Sequence, residues 1–448
     1  MADAWGRLTE RPGVALVTAG PGHLNAVSAL YGALMAESPV VLLSGHAPLG
    51  QIGRGAFQEV DQVAAVAPVT KAAWLARDAA RLGDDIARAL DIAVTGRPGP
   101  VHVSLPNDLL DARVTPTPAR PPVSRATTVD ERELGAMLDV LARAARPLVL
   151  LGPAMARPHR RAAVDRFGAL TGIPALPMES PRGVNDPWLH GAVSALAEAD
   201  VVLLLGKRLD FALRFGEAPA FASGTQFLQI DADPAALQPK RVALAVPADP
   251  VAAIEALTAL GTGTEWKHRP WGDDVLARRR ATAPEWAALR EASTTPMHPL
   301  RVCAALQPYL DDGAVLINDG GEFGQWTQAG LETDRRLING LAGSIGSAIP
   351  MACAAKLVEP SRAVLCVVGD GTFGFHALEL DTAARHGLPI VVVIGNDARW
   401  NAEHQLQLTQ YGPARTVACD LTPRRYEAIA PALGGHGELV ERPEQLSP

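Results

Sequence analysis

The chain has 448 residues, 48% of them hydrophobic and only 20% charged, with a formal charge of −7 and a pI near 5.9. That balance describes a globular protein of two or three domains with large cores, and it argues against an electrostatic nucleic-acid surface. No apolar run approaches the ~20 residues that span a bilayer, and Met1-Ala2-Asp3-Ala4-Trp5-Gly6-Arg7 lacks a signal-peptide plan.

In chain order, the first segment alternates apolar strands (Val14 to Val17, Val40 to Leu43, Val101 to Ser104) with helical stretches at Leu24 to Met35 and Ala79 to Val94. Such alternation predicts a parallel sheet with helices on both faces. The Pro-rich stretch from Thr115 to Pro122 reads as a linker, which closes a first domain at about residue 115. A second α/β unit over 126–262 opens with a helix from Asp130 to Ala145, followed by strands Pro147 to Leu151, Val201 to Leu205 and Phe227 to Ile230. A polar helical connector spans roughly Glu265 to Ala292. The third unit, 295–448, has a helix from Pro299 to Leu310, a strand Ala314 to Ile317, a helix from about Ile349 to Leu357, and two more strands ending in chemistry-bearing turns. Cys303, Cys353, Cys366 and Cys419 show no metal spacing and read as small buried hydrophobes of a reducing cytoplasm.

Those two turns are the most informative feature. The strand Ala363 to Val368 runs into Gly369-Asp370-Gly371-Thr372, and Leu388 to Gly395 runs into Asn396-Asp397-Ala398. A carboxylate and an amide thus reach one sheet edge, the oxygen chemistry that a hard cation such as Mg²⁺ favours beside substrate phosphates. The glycines let backbone N–H groups approach a diphosphate, which the following helix N-terminus also favours.

At this point the chain resembles the thiamine diphosphate (ThDP) enzymes, most of all the large subunit of acetolactate synthase, and the likeness covers almost the whole chain. It implies three α/β domains: pyrimidine-binding, middle and diphosphate-binding. It also implies Mg²⁺ on Asp370, the Asn396 amide and the Ala398 carbonyl, with Gly369, Gly371 and Thr372 against the cofactor. Relatives mostly carry Asn-Asn where this chain has Gly395-Asn396. In Gly343-Ser344-Ile345-Gly346, the Gly343 carbonyl corresponds to the group that meets the cofactor's 4′-amino nitrogen. Ile345 corresponds to the aliphatic wedge that enforces the cofactor's bend. Asp319-Gly320-Gly321-Glu322-Phe323 resembles the loop over the diphosphate, with Glu322 expected to contribute its backbone or to face another group.

In the first segment Thr18-Ala19-Gly20-Pro21-Gly22-His23-Leu24-Asn25 resembles the turn whose Thr18, Pro21 and Asn25 positions face the pyrimidine. His23 departs from the family's small residue and reads either as a proton shuttle or as a polar residue at a helix start. Phe57-Gln58-Glu59 and Thr70-Lys71 resemble the stretch beside the substrate channel, with Phe57, Gln58 and Lys71 as candidates, or else an exposed loop and helix. Arg97-Pro98-Gly99-Pro100-Val101 resembles a structural strand entry. The family's activating glutamate corresponds to a position upstream of Met1, so the chain reads as truncated at both ends, and its own activity is left open.

The resemblance implies a ThDP- and Mg²⁺-dependent decarboxylase or carboligase acting on 2-oxoacids through a C2 carbanion and an enamine. A 2-hydroxyacyl-CoA lyase or oxalyl-CoA-type decarboxylase is the alternative, because the turn Gly206 to Gly216, with Lys207, Arg208 and Arg214, fits that group about as well. FAD, a CoA or ADP group, or nothing would then occupy the middle domain. A truncated, non-catalytic ThDP-binding fragment is the reading from another class. The family architecture implies a homodimer or homotetramer with ThDP at the subunit interface.

Overall fold

The computed structural model describes residues 1–115 and 129–446. Apart from Thr115, the Pro-rich linker lies outside the described residues, as do 126–128 at the start of the second unit.

Each expected unit contains one parallel sheet. The first holds β1 (Gly13–Val17), β2 (Val40–His46), β3 (Ala72–Leu75) and β4 (Pro100–Pro106) in the order β1-β2-β4-β3. The second holds β5 (Pro147–Leu151), β6 (Ala175–Pro177), β7 (Val201–Leu205), β8 (Gln226–Asp231) and β9 (Leu244–Pro247) in the order β6-β5-β7-β8-β9. The third holds β10 (Val315–Asn318), β11 (Arg336–Ile338), β12 (Val364–Gly369) and β13 (Val391–Gly395) in the order β11-β10-β12-β13. All these pairings are parallel.

The central strands β4, β5, β7, β10 and β12 are buried along their whole length. That is why β5, β7 and β12 read as unbroken apolar runs: a strand buried on both faces has no polar side to show, although β4 also carries the buried His102 and Ser104 and β10 ends on the buried Asn318. In the middle domain, for example, Val149, Leu203 and Leu228 point into one core and Leu148, Leu204 and Phe227 into the other. The strands that the sequence did not reveal (β3, β6, β9 and β11) are three or four residues long. Too short to present a pattern, three of them lie at a sheet edge and the fourth, β9, likewise ends its sheet. The helix expected from Asp130 runs Glu131–Arg143, with the Asp130 carboxylate accepting from the Arg132 N–H (2.9 Å) as its N-cap. The connector forms two helices, Arg269–Arg280 and Glu285–Glu291.

Polar contacts join the domains. Arg97 pairs with Asp231 (3.2 Å) and with Glu37, linking the first domain to the middle one. Arg336 pairs with Glu179 (2.9 Å) and Gln328 donates to Asp186 (2.9 Å), linking middle to third. The helix Ala2–Thr9 buries Ala4 in the third domain's core, and Arg7 donates to the Ile338 carbonyl (2.7 Å).

One local packing event explains a departure from the family pattern. A Cβ on Gly395 would stand 2.1 Å from the Phe323 ring, so this ring occupies the space that an Asn side chain at 395 would need. Phe323 and Gly395 are therefore one paired feature. Gly395→Ala is expected to cost about 1–3 kcal/mol by overpacking. Adding Phe323→Leu should recover part of that loss, and denaturant unfolding of the double-mutant cycle reads the coupling.

Candidate active site

The third sheet delivers its chemistry to one edge. Gly369 and Gly395 are register partners on neighbouring parallel strands, so Asp370 and Asn396 leave the sheet side by side. Asp370 is 1% exposed and its Oδ2 has no hydrogen-bond partner. Burial, reinforced by the nearby Asp397, pushes its carboxyl up to about 6 against the backbone N–H groups of Gly371 and Ala398. A buried, underpartnered carboxylate is costly unless something positive meets it, and a hard cation is the group that suits it. Asn396 is exposed, with its amide nitrogen donating to the Arg424 carbonyl (2.9 Å), so its oxygen is the end left for a cation. Ala398 has a positive φ of 55°. Its N–H is the group turned to Asp370, while its carbonyl accepts from the Leu421 N–H (2.7 Å), which uses one of the lone pairs expected to meet a metal.

Asp370 opens onto a cavity of about 280 Å³ walled by the loop from Asp319, the Ile345 turn, the Gly369–Thr372 turn, Trp400 and, from the middle domain, Pro181 and Arg182. The helix Gly321–Gly330 aims its N-terminus into this space, entered through Gly321 at φ 89°. Free N–H groups at a helix start suit a phosphate. The Glu322 side chain does not compete for that role: its carboxylate accepts from Gln325 (3.2 Å) and faces Arg182. Burial raises its pKa, with Arg182 opposing. Phe323 contributes packing against Gly395, as described above. The ring of Trp400 lies over Gly371, where a Cβ would come within 2.6 Å of it.

Sequence reasoning quoted Asp319 without giving it a role. The structure gives it one. It sits at the end of β10, 3% exposed, with one oxygen accepting from the Gly320 N–H (2.7 Å) and the other from Gly346 and Ala348 (3.0 Å each). His376 Nδ1 donates to the Gly346 carbonyl (2.7 Å) from the other side. Ile345, caught between these anchors, is half-buried and presses so closely on Gly320 that a Cβ there would be 2.3 Å from Ile345 Cγ2. Gly343 and Ser344 remain exposed. Arg182, also missed, gave no signal because its place in the cavity wall depends on domain packing.

The first-domain candidates stand elsewhere. Thr18, Pro21 and Asn25 are exposed at the start of the helix Pro21–Met35 and do not line the third-domain cavity. Phe57 is 86% exposed, and Gln58, at φ 58°, lies beside Thr18 (Oγ1 to Oε1, 3.5 Å). Two expectations are corrected. His23 is fully buried, with Nδ1 on Ser44 Oγ (2.9 Å) and its ring 4.6 Å from that of His102, so it lies in the core and not where a shuttle would work. Burial also holds its pKa down. Lys71 precedes β3 at the opposite edge of the sheet and donates to the carbonyls of Ile92 and Thr95 (2.5 and 2.6 Å), closing the end of the helix Leu82–Val94. Burial lowers its pKa to about 8.

Two outcomes follow from this geometry. Asp319→Asn places an N–H₂ group against N–H donors and should cost roughly 1–3 kcal/mol in urea unfolding. For Asp370 the sign runs as pH rises: between its ordinary 3.8 and about 6 the unfolded chain ionises first, so stability declines through that window and levels above it. The decline should be on the order of 2–3 kcal/mol with chelator present, and Asp370→Asn should abolish it.

All three domain families of the thiamine pyrophosphate enzymes match this chain: the N-terminal TPP binding domain over residues 1–65, the central domain over 134–257 and the C-terminal TPP binding domain over 319–448. The acetolactate synthase large subunit of Mycobacterium tuberculosis is 36% identical over 474 residues, covering 100% of this chain and 83% of that protein. The 2-hydroxyacyl-CoA lyase 2 of Bos taurus is 31% identical, covering 98% of this chain and 77% of the relative. Among solved structures, the thiamine diphosphate-dependent 4-hydroxybenzoylformate decarboxylase of Rhodococcus jostii superposes with a TM-score of 0.82 at 20% identity, over 99% of this chain and 85% of that one, which shows the shared fold. With its three parallel sheets and these matches, the chain belongs to the thiamine diphosphate-dependent enzymes and is similar to the acetolactate synthases.

Proposed function

We propose that the protein is a ThDP- and Mg²⁺-dependent decarboxylase or carboligase acting on 2-oxoacids. The observation that carries this reading is Asp370: a buried carboxylate with a free oxygen, at the mouth of a cavity that also holds a helix N-terminus and the Ile345 turn. Asp370 and Asn396 would hold Mg²⁺, completed by the Ala398 carbonyl if it turns from Leu421. The N–H groups at the start of the helix Gly321–Gly330 would receive the diphosphate. ThDP supplies, when bound, the carbon that attacks a 2-oxoacid carbonyl and the electron sink that takes the pair left as CO₂ departs. The protein's part is positional. The Gly343 carbonyl would orient the aminopyrimidine, Ile345 would hold the cofactor bent, and Asp319 would hold Ile345.

Exposure of Thr18, Pro21 and Asn25 away from this cavity supports a site completed by a second copy, hence a homodimer or homotetramer. The continuous match to acetolactate synthase favours an enzyme over a non-catalytic fragment. A cytoplasmic location is supported by cysteines that are all buried and free, and no helix among the described residues is long and apolar enough to cross a membrane.

The second reading, a 2-hydroxyacyl-CoA lyase or oxalyl-CoA-type decarboxylase, is favoured by similarity to such lyases and to the oxalyl-CoA decarboxylase of Escherichia coli. The middle-domain basic turn supports it less than its sequence suggested. Lys207 is 1% exposed and both Asp210 oxygens already hold its ammonium (3.0 and 2.8 Å), which leaves Arg208 and Arg214 exposed there. For FAD, Lys207 and Asp231 at the ends of β7 and β8 are likewise committed, to Asp210 and Arg97, and a flavin absorbance spectrum of the purified protein decides that case.

Asp370→Ala is expected to abolish Mg²⁺-dependent ThDP binding in calorimetry; unchanged affinity would sink the assignment. Ile345→Ala should lower turnover of 2-oxoacids more than ThDP affinity, and an equal loss of both would argue against a wedge.

A further inference from the structure

The core of the first domain contains a run of polar side chains that the proposed chemistry does not use. Gln62, Ser104 and His102 are each no more than 1% exposed. They connect in sequence: the Gly20 N–H meets Gln62 Oε1 (3.0 Å), Gln62 Nε2 meets Ser104 Oγ (3.0 Å), Ser104 Oγ meets His102 Nε2 (2.8 Å), and His102 Nδ1 meets the Leu42 carbonyl (3.0 Å). His102 and Ser104 project from the same face of β4, two residues apart, which aligns them with the first residue of the helix Gln62–Val66.

The direction of every bond in this run is fixed by its ends. Leu42 offers only an acceptor, so His102 carries its proton on Nδ1 and accepts on Nε2. Ser104 must then donate to His102, and its lone pair accepts from the Gln62 amide nitrogen. That leaves the Gln62 oxygen to accept from Gly20. Every donor in the run finds an acceptor, and removing the Ser104 hydroxyl leaves both the His102 ring nitrogen and the Gln62 amide without the partner they meet here. Burying three polar side chains is costly unless they serve each other or a neighbouring group, so the end of the run matters.

That end is the Gly20 peptide. Gly20 is a strained pivot, at φ 55° and ψ −106°, where a Cβ would stand 2.7 Å from the Gln58 carbonyl oxygen. The N–H and C=O of a trans peptide point opposite ways. Holding the Gly20 N–H inward therefore turns the Ala19 carbonyl outward, beside the exposed Thr18, Pro21 and Asn25. We propose that Gln62, Ser104 and His102 form a positioning relay that locks the Gly20 peptide and so sets the Thr18–Asn25 turn against the pyrimidine half of ThDP. The inference rests on the reading of that turn as the pyrimidine-facing one.

The test is calorimetric binding of two probes, Mg²⁺-ThDP and Mg²⁺ with inorganic diphosphate, to the full chain and four variants. Ser104→Ala and Gln62→Met should each weaken ThDP about tenfold. Both should leave diphosphate binding unchanged, because that half of the site belongs to the third domain. Ser104→Thr, which restores the hydroxyl, should recover part of the loss. Should Ser104→Ala not fold, Gln62→Met and Ser104→Thr still carry the comparison. Equal loss for both probes would mean a structural role only and overturns the relay. If Asn25→Ala weakens ThDP while the relay variants do not, the relay alone falls. If none of these variants changes ThDP affinity, the turn does not face the pyrimidine and both ideas fall together.

Discussion

The Asp319 carboxylate is the constraint on which the site depends. A charge taken out of water is tolerated only where donors surround it, and here the backbone N–H groups of Gly320, Gly346 and Ala348 do so. Burial raises its pKa and these N–H groups oppose the rise. Because the three donors come from the loop after β10 and from the start of the helix Ala348–Val358, one side chain sets the separation of two cavity walls. Ile345 is then pressed onto Gly320 with no slack. Ile345 is thereby held by hydrogen bonds as well as by packing.

A different physical logic governs Asp370. Where Asp319 is satisfied by the protein, Asp370 is left short of partners and close to another carboxylate, Asp397. The protein thus carries a local electrostatic penalty at the position where a cation would remove it. Two aspartates at neighbouring strand ends of the same sheet, β10 and β12, differ in hydrogen-bond environment: one is satisfied by the protein and the other is left short.

The first domain repeats the theme at a distance. Its polar run through His102, Ser104 and Gln62 ends on a backbone N–H, just as the third domain's Asp319 does, and in both cases the group held is a glycine-containing turn. Turns of this kind have few contacts of their own, so their shape depends on bonds from beneath. Between the two, the middle domain contributes Arg182 to the cavity wall, and the bonds from Glu179 and Asp186 to the third domain hold that loop in place.

Much of this was legible in the chain itself. Apolar runs in β5, β7 and β12 announced buried parallel strands, because a strand covered on both faces has no polar side to show. The turns beginning at Gly369 and Gly343 stood out for their glycines, which let the backbone come closer to a neighbour than other residues do, and both line the third-domain cavity. The short strands β3, β6, β9 and β11 were not legible, since their pairing is dictated by neighbours distant in sequence. Neither were the fates of His23 and Lys71. A histidine beside a glycine turn and a lysine before a strand look equally functional in one dimension; only packing decides that one is sealed against His102 and the other is turned to the far edge of its sheet. The pairing of Phe323 with Gly395 has the same cause, since 72 positions of chain separate a ring from the missing side chain whose space it takes. The sequence by itself determined the longer elements, the order of the three sheets and the glycine turns that line the cavity. Tertiary structure alone decided which polar side chains face the cavity and which face each other, because that choice depends on contacts between segments that no local pattern encodes.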